Sequence, residues 1–395
     1  MNYLSVVSRC FVERKGGAPR VAWDVCKIMR DRGHKVTMFC HKEYPQADEV
    51  SEIDRIKVVR FEFPKTASLD PLKLQKQTHS GMTVARKYLL DTRWDIIHIH
   101  MPVEGRIVFK LIGKGPRYVY TVHSPSVMEQ QFNWSHQGIR GRVKKLLGTA
   151  PLRRIEGTLL RNADCIQALS EFTKAAIEKF HGIGFKTRVI PHWCREDFVR
   201  EHSKEQARAR LLWPQDAKII FTIRHFRPRY GLDTAIRAAA PLLGEHPNLR
   251  FILGGCGPLL DSMKLLAKRL GVDDKLSFLG RLSDDTLRLC YEAADLFVLP
   301  TRALECFGLI VLEAYAYGLP IISTDAGSLP ELIGPLAPDM LVRAGSVDDL
   351  REKIKAFLNG SLNPPTSEKI IDYVRSRYSF EAVVPRIVQM LEGAG

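Results

Sequence analysis

Short apolar runs bounded by polar loops recur along the 395 residues, and segments of helical period fill the spaces between them. That alternation is the pattern of parallel strands covered by helices, because parallel neighbours need a crossover connection long enough to hold a helix. Residues 3–8 read as a first strand, followed by a loop with Gly16 and Gly17, an amphipathic helix over 20–32 closed by Gly33, and a second strand over 34–40. Further strands are expected at 56–61, 94–100, 117–122, 165–169 and 188–190, which completes one doubly wound unit near residue 190. A charged connector over 195–210, with few residues fit for a core, separates it from a restart of the same pattern. Strands at 218–224, 249–253, 276–279, 296–299 and 320–324 then alternate with helices at 232–243, 259–270, 283–294 and 308–317. Residues 367–391 read as one or two helices with no strand after them. Two similar α/β domains, with ligands at the carboxyl ends of the strands in a cleft between them, is the architecture this implies.

Charge divides along the same line. Residues 1–192 carry 33 basic and 18 acidic side chains, whereas 193–395 carry 26 of each, so the whole net charge of +15 belongs to the first half. An apolar content of 45% excludes intrinsic disorder and low-complexity classes. No apolar run approaches the roughly 18 to 20 residues of a membrane-spanning helix, and the start, MNYLSVVSRC, is too short and polar for a signal peptide. Eight scattered cysteines without a Cys-x-x-Cys pair or a His/Cys cluster read as reduced thiols of a cytoplasmic protein with no structural zinc.

The segment from Leu299 to Glu313 carries the most chemistry. A strand ends at Pro300, a loop holds Glu305, and a helix begins near Gly308 and stops at Gly318 and Pro320. The free N–H groups of Phe307, Gly308, Leu309 and Ile310 would face out of the helix N-terminus, where the dipole favours an anion such as a diphosphate. One carboxylate, Glu305, stands at the mouth of this cradle, and a second, Glu313, lies eight positions later inside the helix.

Here the chain resembles the retaining glycosyltransferases of family 4, with their two-domain GT-B fold. Glu305 and Glu313 match the E-x7-E motif of that family, and further matches span nearly the whole chain: Gly16-Gly17, residues 94–100, Thr121 to Ser124, Ser170-Glu171, Arg224 to Gly231, Gly254 to Pro258, Phe278 to Gly280 and 294–300. The resemblance implies two Rossmann-like domains, an acceptor-side domain at 1–192 and a nucleotide-sugar domain at 193–366, with helices at 367–395 crossing back to the first. It implies that Glu305 binds donor-sugar hydroxyls with the amides of Cys306, Phe307 and Gly308, while Leu309 and Ile310 hold the diphosphate. Glu313 would bind the ribose, Arg281 and Leu282 would face the base, Gly257 would border the sugar pocket, and His123 would lie near the sugar. The Gly16-Gly17 loop would approach the phosphates. No metal cofactor is implied, because positive side chains neutralise the leaving diphosphate, and the nucleotide-sugar is a co-substrate, most simply a UDP-sugar.

Three departures from the family pattern stand out. Aligned on Gly231, the usual diphosphate-clamping Arg and Lys fall at His225 and Tyr230, leaving Arg224, Arg227 and Arg229 as candidates, of which Arg224 and Arg229 are chosen. Pro191-His-Trp-Cys194 stands where Pro-Asn-Gly is common, and Cys306 where Gly is common. His98 and His100 share a strand face and read equally as a buried satisfied pair or as site residues. Gly254, Gly255 and Gly257 read equally as a tight turn or as a ligand approach.

The segment 134–161 carries seven Lys/Arg, one acid, and interleaved apolar residues, which suits either a solvated face, an acceptor-cleft wall or a peripheral contact with an anionic membrane. The expected enzyme is a hexosyltransferase acting on a lipid-linked or anionic glycan or glycolipid acceptor, cytoplasmic or peripheral at the inner face of the plasma membrane. Rival readings are a nucleotide-sugar epimerase or hydrolase of the same fold and a non-enzymatic polyanion binder. Nucleic acid is not expected as a partner, since no stacking platform of aromatics accompanies the basic residues.

Overall fold

The computed structural model of the chain describes residues 1–14, 16–62, 71–135 and 138–393. Residues 1–192 with the chain from Val384 on form one compact unit, and Trp193–Val383 form the other. The first unit contains β1 (Asn2–Val6), α1 (Gly17–Asp31), β2 (Lys35–His41), β3 (Val50–Ile53), β4 (Ile56–Phe61), α2 (Pro71–Leu89) and β5 (Ile96–Ile99). It continues through α3 (Pro102–Ile112), β6 (Arg117–Val122), α4 (Ser126–Ser135), α5 (Gly138–Asn162), β7 (Cys165–Ala168), α6 (Glu171–His181) and β8 (Thr187–Val189). Its strands lie in the order β3-β4-β2-β1-β5-β6-β7-β8, all parallel except β3. Tyr3, Leu4 and Val6 of β1 are fully buried, as expected of a central parallel strand covered on both faces.

The second unit contains α7 (Lys204–Leu211), β9 (Lys218–Ile223), α8 (Leu232–Glu245), β10 (Leu249–Gly254), α9 (Leu260–Arg269), β11 (Leu276–Gly280) and α10 (Asp284–Ala293). It continues through β12 (Leu296–Leu299), α11 (Leu309–Ala316), β13 (Ile321–Thr324), α12 (Leu329–Ile333), β14 (Leu341–Val342), α13 (Val347–Leu358) and α14 (Ser367–Tyr378). The strand order is β11-β10-β9-β12-β13-β14, parallel throughout. Counting parallel strands in chain order, the second sheet runs third-second-first-fourth-fifth-sixth from edge to edge, and the first runs the same way with a seventh strand added at the end. That order creates a crevice where the first and fourth strands part their connections, β1/β5 in one unit and β9/β12 in the other.

The structure departs from the sequence expectations in four places. β3 and β4 form an antiparallel hairpin in which Ile53 faces Ile56 and the two loop residues, Asp54 and Arg55, both have positive φ. That is type I′ geometry built without the usual glycine, so the turn signal is missing from the sequence. The connector contributes to the core: Phe198 and Ala207 are buried, and Arg208 donates to the Ala293 carbonyl (3.0 Å), the Gln215 carbonyl (2.7 Å) and Asp295 Oδ2 (2.7 Å). The short strand β14 and the helices α12 and α13 extend the second unit beyond the elements read from sequence. Residues 367–383 group with the second unit, and the chain groups with the first only from Val384, early in α15 (Phe380–Glu392). There Arg32 and His34 bond to Glu392 at 3.0 and 3.1 Å, and Arg117 donates to the Met390 carbonyl at 3.0 Å.

Candidate active site

Strands β9 and β12 are hydrogen-bonded neighbours, with Phe297 facing Phe221, so the residues after their ends meet at the crevice of the second unit. Arg224 follows β9, and its Nη2 donates to Thr301 Oγ1 (2.8 Å) and to Glu305 Oε2 in the loop after β12. The two charged side chains are only 9% and 14% exposed, which removes them from the class of weak surface ion pairs. Arg224 Nε is buried with no hydrogen-bond partner, leaving an open donor beside the carboxylate. The Tyr230 ring lies 4.3 Å from the Arg224 guanidinium carbon and 4.7 Å from that of Arg229, and Arg229 Nη2 donates to Tyr230 Oη at 2.5 Å. Tyr230, standing where the family usually has Lys, thus gathers both chosen arginines on one ring, while Arg227 is exposed.

Backbone contacts hold these loops together. The Arg302 amide donates to the Arg229 carbonyl at 2.8 Å, and Gly231, at φ +64°, comes so close that a Cβ there would sit 2.0 Å from the Pro300 carbonyl oxygen. The Phe226 amide donates to the Cys256 carbonyl (2.9 Å) and the Leu259 amide to the Phe226 carbonyl (3.2 Å). A Cβ on Gly257 would meet His225 Nδ1 at 2.5 Å and the Phe226 carbonyl oxygen at 2.6 Å. Gly257 is therefore required by its neighbouring loop, whatever approaches from outside. Burial and the adjacent Arg227 lower the pKa of His225. Arg281 is exposed, with Nη2 3.8 Å from Cys256 Sγ, and Leu282 is half-buried beside Gly254.

Glu305 is placed by strain. Leu304 before it is largely buried at φ +60°, a conformation a branched side chain adopts only when its surroundings impose it. Gly327, at φ +63°, packs so tightly that a Cβ would lie 2.1 Å from the Glu305 carbonyl oxygen, which accepts from the Ser328 amide at 2.8 Å. Cys306 and Phe307 bury their side chains. Gly308 caps α11 at φ +86°. The amides of Phe307, Gly308, Leu309 and Ile310 have no acceptor among the described residues, so the start of α11 presents unpaired N–H groups. Glu313, half-buried one turn before the end of that helix, accepts from Tyr291 Oη at 3.2 Å. Tyr291 is fully buried and stacks on Tyr317, with ring centroids 5.6 Å apart.

The remaining candidates lie in the first unit. Gly16 caps α1 and Gly17 opens it; a Cβ on Gly17 would meet nothing within 4 Å, so its backbone is open to approach. His98 is a satisfied core residue. Gln167 Nε2 donates to the Ile190 carbonyl (2.9 Å), so its Oε1 receives the Thr121 hydroxyl (2.6 Å); His98 Nε2–H then donates to Thr121 Oγ1 (2.6 Å) and Tyr3 Oη donates to His98 Nδ1 (2.6 Å). His100 Nδ1 and His123 Nε2 share a hydrogen bond of 3.0 Å, and His100 Nε2 is buried without a partner. Burial pushes His98 and His123 down to about 3 and His100 well below its usual range, so all three rings are neutral at pH 7. Beside them a cavity of about 560 Å³ opens at the ends of β1, β2 and β5, lined among others by Ser8, Arg9, His41, Lys42, Glu104 and Ser126. Burial and nearby Arg14 lower the pKa of Arg9.

Of the basic segment, residues 136–137 and the side chain of Arg140 lie outside the described residues. Thr301, Tyr230, Tyr291 and Gly327 are site residues that sequence reasoning missed. Gly327, in Asp-Ala-Gly-Ser after a strand, carried a turn signal, and Tyr230 stood out only as a departure at the usual Lys position; Thr301 and Tyr291 carried none.

Two α/β units of like strand order, the second with a carboxylate, a guanidinium and an unpaired helix N-terminus at its own crevice, have the architecture of a GT-B glycosyltransferase. The sequence profile described as Glycosyltransferase Family 4 matches residues 15–197, and that of Glycosyl transferases group 1 matches 203–377. The chain belongs to glycosyltransferase family 4. The D-inositol 3-phosphate glycosyltransferase of Corynebacterium aurimucosum is 26% identical over 365 residues, 87% of this chain and 83% of that protein. Sucrose-phosphate synthase from Thermosynechococcus elongatus superposes with a TM-score of 0.84 at 21% identity, over 99% of this chain and 98% of that one. Anabaena HepE, solved with UDP-glucose, superposes with a TM-score of 0.74 at 19% identity, over the whole of both chains.

Proposed function

We propose that this glycosyltransferase moves a hexose, with retention of configuration, from a nucleotide-sugar to a hydroxyl of a lipid-linked or anionic glycan or glycolipid acceptor in cell-envelope or polysaccharide biosynthesis. The donor is a UDP-sugar, a choice supported by the UDP-glucose bound to Anabaena HepE. The observation that carries the reading is the Arg224–Glu305 pair beside the unpaired amides of α11. Glu305 holds donor-sugar hydroxyls, the amides of Leu309 and Ile310 receive the diphosphate, and Glu313 takes the ribose. Arg224 and Arg229 stabilise the charge that grows on the departing diphosphate, so no metal is needed. The bond from the anomeric carbon to phosphate oxygen breaks as the bond to the acceptor oxygen forms on the same face, and the acceptor proton passes to the departing phosphate oxygen. The acceptor occupies the first unit, whose surplus positive charge suits an anionic group and whose cavity offers Arg9, Arg14 and Lys42 beside Glu43, Glu104 and Glu129. The enzyme works peripherally at the inner face of an anionic membrane, met by residues 134–161.

A thermal-shift screen of UDP-, GDP-, ADP- and dTDP-sugars tests the donor, because a bound donor stabilises the folded state by mass action. A rise with UDP-sugars alone is expected; a rise with GDP-sugars alone replaces the base, and no rise with any of them rejects the site. Incubating the stabilising donor without acceptor separates the epimerase reading, which requires an isomerised nucleotide-sugar as product.

A further inference from the structure

On the first unit, away from the strand ends, α3 and α5 bound a groove of about 700 Å³. Its floor is apolar, with Phe109, Ile155 and Leu159, and its charged lining consists of Arg106, Lys110 and Arg154, with no carboxylate. Among the described residues none of these three cations makes an ion pair or hydrogen bond through its side chain. With no carboxylate beside them, three cations around an apolar floor are complementary to an anion that carries apolar material with it.

The helix leading into the groove repeats that composition. Ile139, Val143, Leu146 and Leu147 are 80%, 51%, 80% and 68% exposed. Their spacing, followed by Ala150 and Arg154, sets them along one face of α5 that runs directly into the groove. Arg142 and Arg153 are exposed on one flank of that stripe, and Lys145 is exposed on the face behind it. Four large apolar side chains left bare within nine residues, bordered by cations, have the layout of an interfacial helix.

We propose that the α3–α5 groove binds the phosphate headgroup of an anionic membrane lipid, with Ile139, Val143, Leu146 and Leu147 entering the acyl boundary beside it. The proposal rests on the reading that the enzyme meets a membrane, and it adds a defined headgroup site to what is otherwise a diffuse basic surface. Arg106, Lys110 and Arg154 hold the phosphate, and the apolar floor takes the first methylenes of the lipid.

Flotation of the full chain with vesicles of phosphatidylcholine alone, or of phosphatidylcholine with phosphatidylglycerol, tests it. The wild type is expected on the anionic vesicles only. Replacing Arg106, Lys110 and Arg154 together by Gln should weaken that partition about a hundredfold, at about fivefold per cation. Leu146→Glu with Leu147→Glu should abolish it, and both variants should keep the wild-type melting temperature and donor-induced shift. If the groove variant floats like the wild type while an Arg142→Gln, Lys145→Gln, Arg153→Gln variant does not, the headgroup site is wrong although the membrane reading stands. Should the wild type bind no vesicle, both are wrong, and the donor-induced shift then reports separately on the transferase assignment. Equal displacement from vesicles by the same concentration of soluble glycerol phosphate would overturn the commitment to a lipid.

Discussion

The two units share the order of their first six parallel strands, and each puts different chemistry at its own equivalent crevice. After β9 and β12 the second unit holds a bonded guanidinium and carboxylate next to unpaired amides, all in loops whose glycines let backbones touch. In and after β5 and β6 the first unit holds neutral imidazoles, His98 bonded across the sheet and His100 bonded to His123, with a cavity beyond them that is lined by three cations and three carboxylates. The order of strands therefore fixes where a ligand can be met, and the loops fix the charge that meets it. The even charge balance of the second half and the +15 of the first are the same contrast written in composition.

The largest expected effect breaks the second crevice. Arg224→Ala should lower kcat by about 10²- to 10³-fold, the cost of removing one stabiliser of transition-state charge, and steady-state kinetics with the stabilising donor will measure it. An unchanged kcat would remove Arg224 from the reaction. Arg229→Ala, measured beside it, decides whether the Tyr230-linked arginines act as a unit, in which case the double variant is no worse than the worse single one.

Next comes acid. His98 and His123 have folded-state values depressed to about 3, whereas an unfolded histidine titrates near about 6.5. Between these values the unfolded chain binds more protons than the folded one, so the stability these groups contribute is complete above about 6.5 and falls as the pH drops. Each such ring contributes a slope of about 1.4 kcal/mol per pH unit inside the window. Hydrogen exchange across that range should show β1, β5 and β6 losing protection before β9 and β12. Simultaneous loss in both sheets would deny the first unit its histidine dependence. The smallest effect sharpens the donor site: Tyr291→Phe removes one hydrogen bond to Glu313 and should weaken nucleotide binding by about 1 kcal/mol, seen as a several-fold higher Kd in calorimetry.

Much of this was legible before any coordinates. Ile56–Phe61, Arg117–Val122 and Leu296–Leu299 coincide with strands read from apolar runs alone, because parallel strands buried on both faces cannot contain polar residues for long. Glu305 and Glu313 were legible from their spacing within a strand-loop-helix context. Tyr230 was visible only as a departure from a pattern, and its role as the ring between two arginines depends on φ and χ angles that no spacing encodes. Arg208 read as solvated connector because its residue type is normally exposed; two carbonyls and Asp295 make its burial possible.

The sequence alone determined two parallel α/β units, the place of the restart, and the two carboxylates before and within α11, since these follow from periodicity and local turn chemistry. Tertiary structure alone decided that Arg224 reaches Glu305 across 81 positions, that Gly327 presses on the backbone of Glu305, and that His98 is satisfied while His100 keeps a bare nitrogen. Such pairings join residues distant in sequence at adjacent strand ends, and only the order in which strands pack determines which ends are adjacent.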